Sequence, residues 1–382
     1  MKKSVYIVAV ENSADHLGAE LIEQINLKWP DIECLGIGGL AMRSQGVLSQ
    51  IDITGLAILG FIEGVKSYPL ILKRVKETVS SIMIKKPNIV VLIDSWGFMI
   101  RVAQRLKQSG YKGKIVKYLA PQVWAMREGR SKILAKSVDH LMTIHSFDAP
   151  YFEKHGLPVT YVGNPIFDTH YLAGESNKLK SEYDIKDNHE ILSVFFGSRI
   201  SEIETLAPVF AETIRQLKSA REHLKIISPV SDTITSEVKT AVVQHPHLQD
   251  ITLLPERRKL DVFAASHVAL ACSGTVTTQL ACAGVPTVVA YKLNPLTFTA
   301  AKRLYKPNYI SIVNIAAGVE LMPEFIQSDV TADNLSREIS NYLNDEVYRK
   351  KSSEKLIEQT TSMQGKGGLA SQRAAQTIAG LL

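Results

Sequence analysis

The sequence predicts an α/β protein built from two doubly wound parallel-sheet halves. Three observations point there. A length of 382 residues corresponds, at roughly 150 residues per domain, to two α/β domains or one oversized domain. Short aliphatic runs alternate with longer amphipathic segments, and the runs are apolar throughout rather than at every second position. Strands of that kind are buried on both faces, as in a parallel sheet covered by helices on each side. The texture then changes once, in a polar, turn-rich stretch from Asn164 to His189.

In chain order the predicted strands are Val5 to Val10, Ile89 to Ile93, Ile115 to Leu119, Val159 to Val162, Ile191 to Phe196, Lys225 to Ser228, Ile251 to Leu254, Val268 to Ala271 and Thr287 to Tyr291. The polar stretch holds Ala173-Gly174-Glu175-Ser176-Asn177 and Lys186-Asp187-Asn188, which mark turns. The expected division is a first Rossmann-like domain over 1–165, a linker over 166–189, a second Rossmann-like domain over 190–361 and a closing helix within 362–382.

Composition narrows the classes. With 45% hydrophobic and 21% charged residues and a mean hydropathy of +0.02, disorder, collagen and coiled coil are excluded. No apolar run approaches the ~20 residues of a membrane span or forms a signal-peptide core, so an intracellular, cytoplasmic location is expected. Cys34, Cys272 and Cys282 lack C-x-x-C spacing, which suits buried thiols in a reducing compartment. A formal charge of +6 favours anionic partners. Nothing resembles an RNA-binding aromatic pair or a recognition helix, so no nucleic acid is expected.

Ligands of open parallel sheets bind beyond the carboxyl ends of the strands, so chemistry is sought in the loops that follow them. After the first strand comes Glu11-Asn12-Ser13-Ala14-Asp15-His16, where Asn12 or Ser13 can cap a helix and Glu11 or His16 can meet a ligand. The absence of G-x-G-x-x-G disfavours a nicotinamide or flavin dinucleotide. After Ile89 to Ile93 stands Asp94, which either caps the next helix or serves as a base; Trp96 would supply an apolar wall of the kind that raises a carboxylate's pKa. The loop from Leu119 to Arg130 is aromatic and basic. It either packs Trp124 or uses Arg127 and Arg130 as a wall for phosphate.

In the second half Gly197 lets backbone approach a ligand and Ser198 caps a helix. Arg199 stands at that helix start, where a cation is unfavourable unless an anion is bound. Ser273-Gly274-Thr275, with Gln279 one turn on, forms a second loop of small residues. Two such loops in one half point to a nucleotide diphosphate. No D-x-D, H-E-x-x-H or G-x-x-x-x-G-K-[ST] occurs, so neither a metal nor a P-loop is expected. The apolar segment from Leu56 to Leu72 carries Lys66 and is followed by Lys73, Arg74 and Lys76. It suits a core-facing helix, or an anionic membrane surface and acyl chains, with Pro69 read as a helix breaker. Arg257-Arg258-Lys259 is expected on a solvated face.

These residues together resemble the lipid-A-disaccharide synthase family over nearly the whole length. The resemblance is carried by Leu17-Gly18-Ala19, Gly36-Ile37-Gly38-Gly39 with Met42, Leu59-Gly60-Phe61-Ile62-Glu63, Ile93-Asp94 and Pro121-Gln122-Val123-Trp124-Ala125-Met126-Arg127. It continues in Gly163-Asn164-Pro165, Gly197-Ser198-Arg199 with Glu202 and Glu204, Ser273-Gly274-Thr275, Gly284 to Tyr291 and Pro295-Leu296-Thr297-Phe298.

The resemblance implies an inverting glycosyltransferase of the GT-B fold. It would join UDP-2,3-diacylglucosamine to 2,3-diacylglucosamine 1-phosphate, giving the β-1′,6-linked disaccharide and UDP without metal or other cofactor. By the same resemblance Asp94, with Glu11 beside it, would be catalytic. Gly197, Ser198, Arg199, Glu202, Ser273, Gly274, Thr275 and Gln279 would bind the UDP-sugar. Ser13, Asp15, Leu59, Phe61, Ile62, Trp96, Trp124 and Arg127 would meet the acceptor and its acyl chains. The enzyme would work at the inner face of the cytoplasmic membrane, and a homo-oligomer is left open.

Several positions depart from the family pattern. Gly-Glu-Thr-Ser-Gly-Asp is here Val10-Glu11-Asn12-Ser13-Ala14-Asp15, and Asp-Ala-Pro-Asp-Phe is Asp94-Ser95-Trp96-Gly97-Phe98. A glutamate expected at the ribose is Gln279, and Trp-Ala-Trp-Arg is Trp124-Ala125-Met126-Arg127. Two alternatives follow: a UDP-sugar transferase with another acceptor, or a weakly catalytic paralogue that binds nucleotide-sugar or lipid.

Overall fold

The computed structural model describes residues 3–49, 51–53, 68–293, 298 and 304–382. Leu59, Phe61 and Ile62 lie outside the described residues, as does most of the Leu56 to Leu72 segment. The chain divides into two compact units, one formed by Met1–Asp168 and Gly365–Leu382, the other by Thr169–Gln364.

The first unit is built on β1 (Ser4–Val8), β2 (Glu33–Ile37), β3 (Ile89–Ile93), β4 (Lys114–Tyr118), β5 (His140–Thr143) and β6 (Val159–Tyr161). They pair in parallel in the order β2-β1-β3-β4-β5-β6. Alternation along each strand divides the apolar residues between two faces. Val5, Ile7, Val91 and Ile93 pack with helix Asn12–Lys28 and with Ala374 and Ile378 of helix Ala370–Leu381. Tyr6, Val8, Val90 and Leu92 pack with Val75, Ile82, Phe98 and Met99 from helices Tyr68–Lys85 and Trp96–Gln108. Each such side chain contributes ~1.5–3 kcal/mol when removed from water, so the central strands are buried on both sides. Pro69 lies within the described helix Tyr68–Lys85, which it does not break. The chain's last helix is tied down by Arg373, whose Nε donates to the Val162 carbonyl (2.7 Å), and by the Ala370 N–H, which donates to Asp168 (2.7 Å).

The second unit carries β7 (Glu190–Phe195), β8 (Leu224–Val230), β9 (Ile251–Pro255), β10 (Val268–Cys272), β11 (Thr287–Tyr291) and β12 (Glu324–Ile326). Their order is β12-β11-β10-β7-β8-β9, again all parallel. Residues Leu192, Val194, Leu270 and Val288 of the central strands share one core with Phe210, Ile214, Leu335 and Ile339. Three strands, β2, β5 and β12, were not anticipated from the sequence. β2 is a half-buried edge containing Gly36, β5 begins at a histidine, and β12 is an edge strand of three residues. No helix among the described residues is long and apolar enough to cross a membrane.

Each sheet has one place where successive connections leave in opposite directions. In the first it lies between β1 and β3, and in the second between β7 and β10. A crevice opens there beyond the strand ends, because the flanking loops turn away from each other. Glu11 and Asp94 follow β1 and β3; Gly197 to Arg199 and Ser273 to Thr275 follow β7 and β10.

Candidate active site

At the crevice of the second unit lies a cavity of about 430 Å³. Gly197, Ser198, Arg199, Glu202, Ser273, Gly274, Thr275 and Gln279 all line it, so the structure brings together the eight residues implied for the UDP-sugar. Gly197 has φ +108°, and a Cβ there would stand 2.5 Å from Glu202 Oε2 and 3.3 Å from Cys272 Sγ. Only glycine fits without strain.

Glu202 organises the loop. Its Oε2 accepts hydrogen bonds from the Ser198 N–H (2.9 Å) and the Arg199 N–H (3.2 Å), and its Oε1 pairs with the Arg199 guanidinium (2.7 Å). Two expectations are corrected here. Helix Ile200–Ala220 is capped by the Glu202 carboxylate, with Arg199 at the cap position, and not by the Ser198 hydroxyl. The Arg199 cation is offset by Glu202, so its place at a helix start does not by itself demand an anion. Its side chain remains 67% exposed, with donors left to offer.

Burial pushes the Cys272 thiol up to about 12, which makes it a neutral wall of the cavity. Ser231, Thr233, Glu256 and Lys259 also line it and were missed in the sequence, because β8 and β9 end in loops without a glycine signature. Of Arg257-Arg258-Lys259, expected on a solvated face, only Arg257 is exposed. Arg258 is largely buried and pairs with Glu182 (2.8 Å) and Asp261 (3.1 Å), while Lys259 faces the cavity.

The crevice of the first unit is filled by larger side chains. Glu11 occupies the cap position of helix Asn12–Lys28 without a side-chain capping bond. Asn12 and Ser13 lie exposed in the first helical turn, so neither is the expected cap. Asp15 is 2% exposed, and its carboxylate accepts from the backbone N–H groups of Gly39 (2.7 Å), Ala41 (2.8 Å) and Met42 (3.2 Å). A Cβ at Gly39 would lie 2.7 Å from Asp15 Oδ2. Asp15 thus anchors the turn after β2 and turns no free oxygen to a ligand, contrary to the contact implied by resemblance.

Asp94 and Ser95 both have left-handed backbone, with φ +52° and +36°. Among the described residues the Asp94 carboxylate caps nothing; Ser95 holds the cap position of helix Trp96–Gln108, without a side-chain capping bond. Beneath this turn lies a group that the sequence reading passed over. Lys117, on β4, is 3% exposed and donates to the carbonyls of Asp94 (2.7 Å), Tyr118 (3.0 Å) and Leu92 (3.3 Å). Burial pulls its ammonium down to about 7, opposed by the carboxylates of Asp94 and Glu11. A lysine inside the apolar run Ile115-Val116-Lys117-Tyr118 was the available signal.

Trp96 carries the Arg130 guanidinium over its ring at 5.1 Å. Burial and the neighbouring Arg127 both lower the pKa of Arg130, so two cations stand close together; Arg127 is exposed with φ +57°. Trp124 is buried and meets Phe147 and His145 edge-on at 5.4 and 6.3 Å. His145 stacks on Phe147, and burial pulls it down to about 4, so its ring is neutral at physiological pH. Asp148, 1% exposed, is pushed up to about 7 by burial, with the neighbouring His145 backbone and Trp124 indole acting the other way. Among the described residues no three His, Cys, Asp or Glu side chains come together to hold a metal.

A family model described as lipid-A-disaccharide synthetase matches residues 5–378. A lipid-A-disaccharide synthase from Rhodospirillum centenum is 35% identical over 376 residues, covering 98% of this chain and 93% of that protein. Another from Geobacter metallireducens is 32% identical over 381 residues, covering 100% and 97%. Among solved structures, a UDP-GlcNAc 2-epimerase from Neisseria meningitidis bound to UDP-GlcNAc superposes with a TM-score of 0.63 at 11% identity, covering 99% of this chain and 98% of that one. MurG from Acinetobacter baumannii gives 0.58 at 15% identity, with 99% of both chains covered. The fold class is GT-B, two Rossmann-like units each with a six-stranded parallel sheet.

Proposed function

From the premise that the chain belongs to the lipid-A-disaccharide synthase family and is a glycosyltransferase, we propose that its donor is UDP-2,3-diacylglucosamine and its acceptor 2,3-diacylglucosamine 1-phosphate. The products are the β-1′,6-linked disaccharide 1-phosphate and UDP. The acceptor's 6-oxygen forms a bond to the donor's anomeric carbon as the bond from that carbon to the diphosphate oxygen breaks. The proton passes from the 6-hydroxyl to Asp94, and the bonding electrons leave with UDP.

The observation that carries this reading is the cavity at the second unit's crevice, lined by eight residues implied for the UDP-sugar. The small-residue turn Ser273-Gly274-Thr275 at the start of a helix, with the exposed Arg199 guanidinium, suits a diphosphate and stabilises its growing charge as the bond breaks. In the first unit Asp94 has a carboxylate that is not engaged in capping, and Glu11 stands on the adjacent loop. Arg127 and Arg130, two neighbouring cations, hold the acceptor's phosphate, and Trp96 and Trp124 flank its sugar. Leu59, Phe61 and Ile62 take the acyl chains, with Lys73 and Lys76 on the following helix facing the anionic inner surface of the membrane.

The test is UDP release from UDP-2,3-diacylglucosamine with and without the acceptor, alongside Asp94→Asn. Acceptor-dependent release that falls about 10²–10⁴-fold in kcat in the variant, at unchanged affinity for UDP, is the expected result. Tight UDP binding without release would overturn the acceptor assignment and direct the search to another sugar-lipid.

A further inference from the structure

By strand alternation Lys117 shares the face of Ile115, which packs against Val90, Leu92 and Val138. An apolar residue would fill that place without the penalty of several kcal/mol that a buried ion carries. Among the described residues Lys117 forms no salt bridge; its three donors are taken by three carbonyls at the carboxyl ends of β3 and β4.

Those carbonyls flank an unusual length of backbone. Asp94 and Ser95 follow β3 with φ +52° and +36°, and Leu119 follows β4 with φ +72°. Left-handed backbone at such residues costs roughly 1–3 kcal/mol each and persists only where the surroundings over-determine it. The Asp94 N–H donates to the Tyr118 carbonyl (3.0 Å), and that same carbonyl accepts from Lys117. One ammonium therefore joins both strained turns.

We propose that Lys117 is a positioning residue for the transfer reaction: its bonds to the Leu92, Asp94 and Tyr118 carbonyls lock the Asp94–Ser95 turn and so fix the direction of the Asp94 carboxylate. The inference rests on the reading of Asp94 as the base. Lys117 itself touches no substrate. Its role is to keep Asp94 from sampling directions in which it cannot reach the acceptor hydroxyl.

The test compares the full chain with Lys117→Met, Asp94→Asn and the double variant, by UDP-release kinetics and by amide hydrogen exchange over residues 94–99. In Lys117→Met, kcat falls tenfold or more, KM for the UDP-sugar stays within threefold, and exchange over 94–99 rises at least tenfold. The double variant is no slower than Asp94→Asn, because Lys117 acts through Asp94. A Lys117→Met kcat within threefold of the parent, or losses that multiply in the double variant, overturns the inference. If Asp94→Asn turns over normally, the reading of Asp94 as base fails, and exchange alone still decides whether Lys117 locks the turn. If Lys117→Met does not fold, Lys117→Gln, whose amide keeps a donor for only part of the cage, is judged by the same kinetic and exchange criteria.

Discussion

The two crevices occupy equivalent places in their sheets and are built in opposite ways. In the second unit the loops after β7 and β10 present glycine, serine and threonine to a cavity of about 430 Å³, whose remaining wall includes Phe195, Arg199, Glu202 and Lys259. The arginine is balanced by Glu202 within its own loop. In the first unit the loop after β3 carries Asp94 and the half-buried Trp96, held from below by the buried Lys117, and the loops after β4 and β5 pack Trp124, His145 and Asp148 together. Of seven non-glycine residues with positive φ among those described, four (Asp94, Ser95, Leu119 and Arg127) lie in the loops after β3 and β4. Left-handed backbone is thus denser in these loops than elsewhere among the described residues. A diphosphate is held by N–H groups that any backbone supplies once side chains are kept away. Taking a proton from a hydroxyl needs one carboxylate held in one direction, and that demands a packed and partly strained surround.

The comparison breaks most visibly at Gly197. If the second crevice works by backbone approach, Gly197→Ala forces Glu202 to move and adds left-handed strain, a loss of about 1–3 kcal/mol. The expected result is a UDP Kd raised about tenfold or more by calorimetry, with exchange over 94–99 in the first unit unchanged. An unaltered Kd would mean that side chains, not backbone, hold the nucleotide.

The same contrast explains what could be read in advance. The apolar runs that became β1, β3, β4 and β6 to β11 are local signals, and so are small residues after a strand; both survive in the sequence because neighbouring positions define them. β2 escaped because its core partner Ile7 belongs to another strand and its own side chains are mostly half-buried. Lys117 gains its meaning from Leu92 and Asp94, more than twenty positions earlier, and Asp15 from a turn as far ahead. Pairing across a parallel sheet sets those meanings, and periodicity does not report it. In the second half the small-residue loops after β7 and β10 were therefore legible and the lining from β8 and β9 was not, whereas in the first half the place of Asp94 at a strand end was legible and the group beneath it was not.

A smaller effect sharpens the comparison through pH. The folded first unit keeps the Asp148 proton up to about 7, while the unfolded chain releases it near 3.8. The folded state binds the extra proton across that window, so Asp148 makes stability fall as pH rises from about 4 to 7, with no further change above. One proton limits the slope to about 1.4 kcal/mol per pH unit. Asp148→Asn should flatten this decline. Exchange-detected unfolding at pH 5 and pH 7.5 would show the gain at pH 7.5 in helix Ala370–Leu381 of the first unit and none in β8 of the second. Equal slopes in parent and variant would place the buried proton elsewhere.

The smallest expected effect lies at Gln279, where the second crevice departs from the family pattern it otherwise resembles. Gln279 lines the cavity and lies near the hydroxyl of Tyr171, a buried phenol whose pKa is raised by burial. An amide can accept from a ribose hydroxyl as a carboxylate does, but without charge assistance its bonds are about half as strong. Gln279→Glu should therefore tighten UDP about two- to fivefold, with the Tyr171 hydroxyl free to turn and donate to the new carboxylate. The change should appear in Kd and KM for the donor and leave kcat as it was, because the ribose is bound alike before and during transfer. A fall in kcat would show that this side chain also senses the reacting centre, and the division of labour between a backbone crevice that binds and a side-chain crevice that reacts would then have to be redrawn at Gln279.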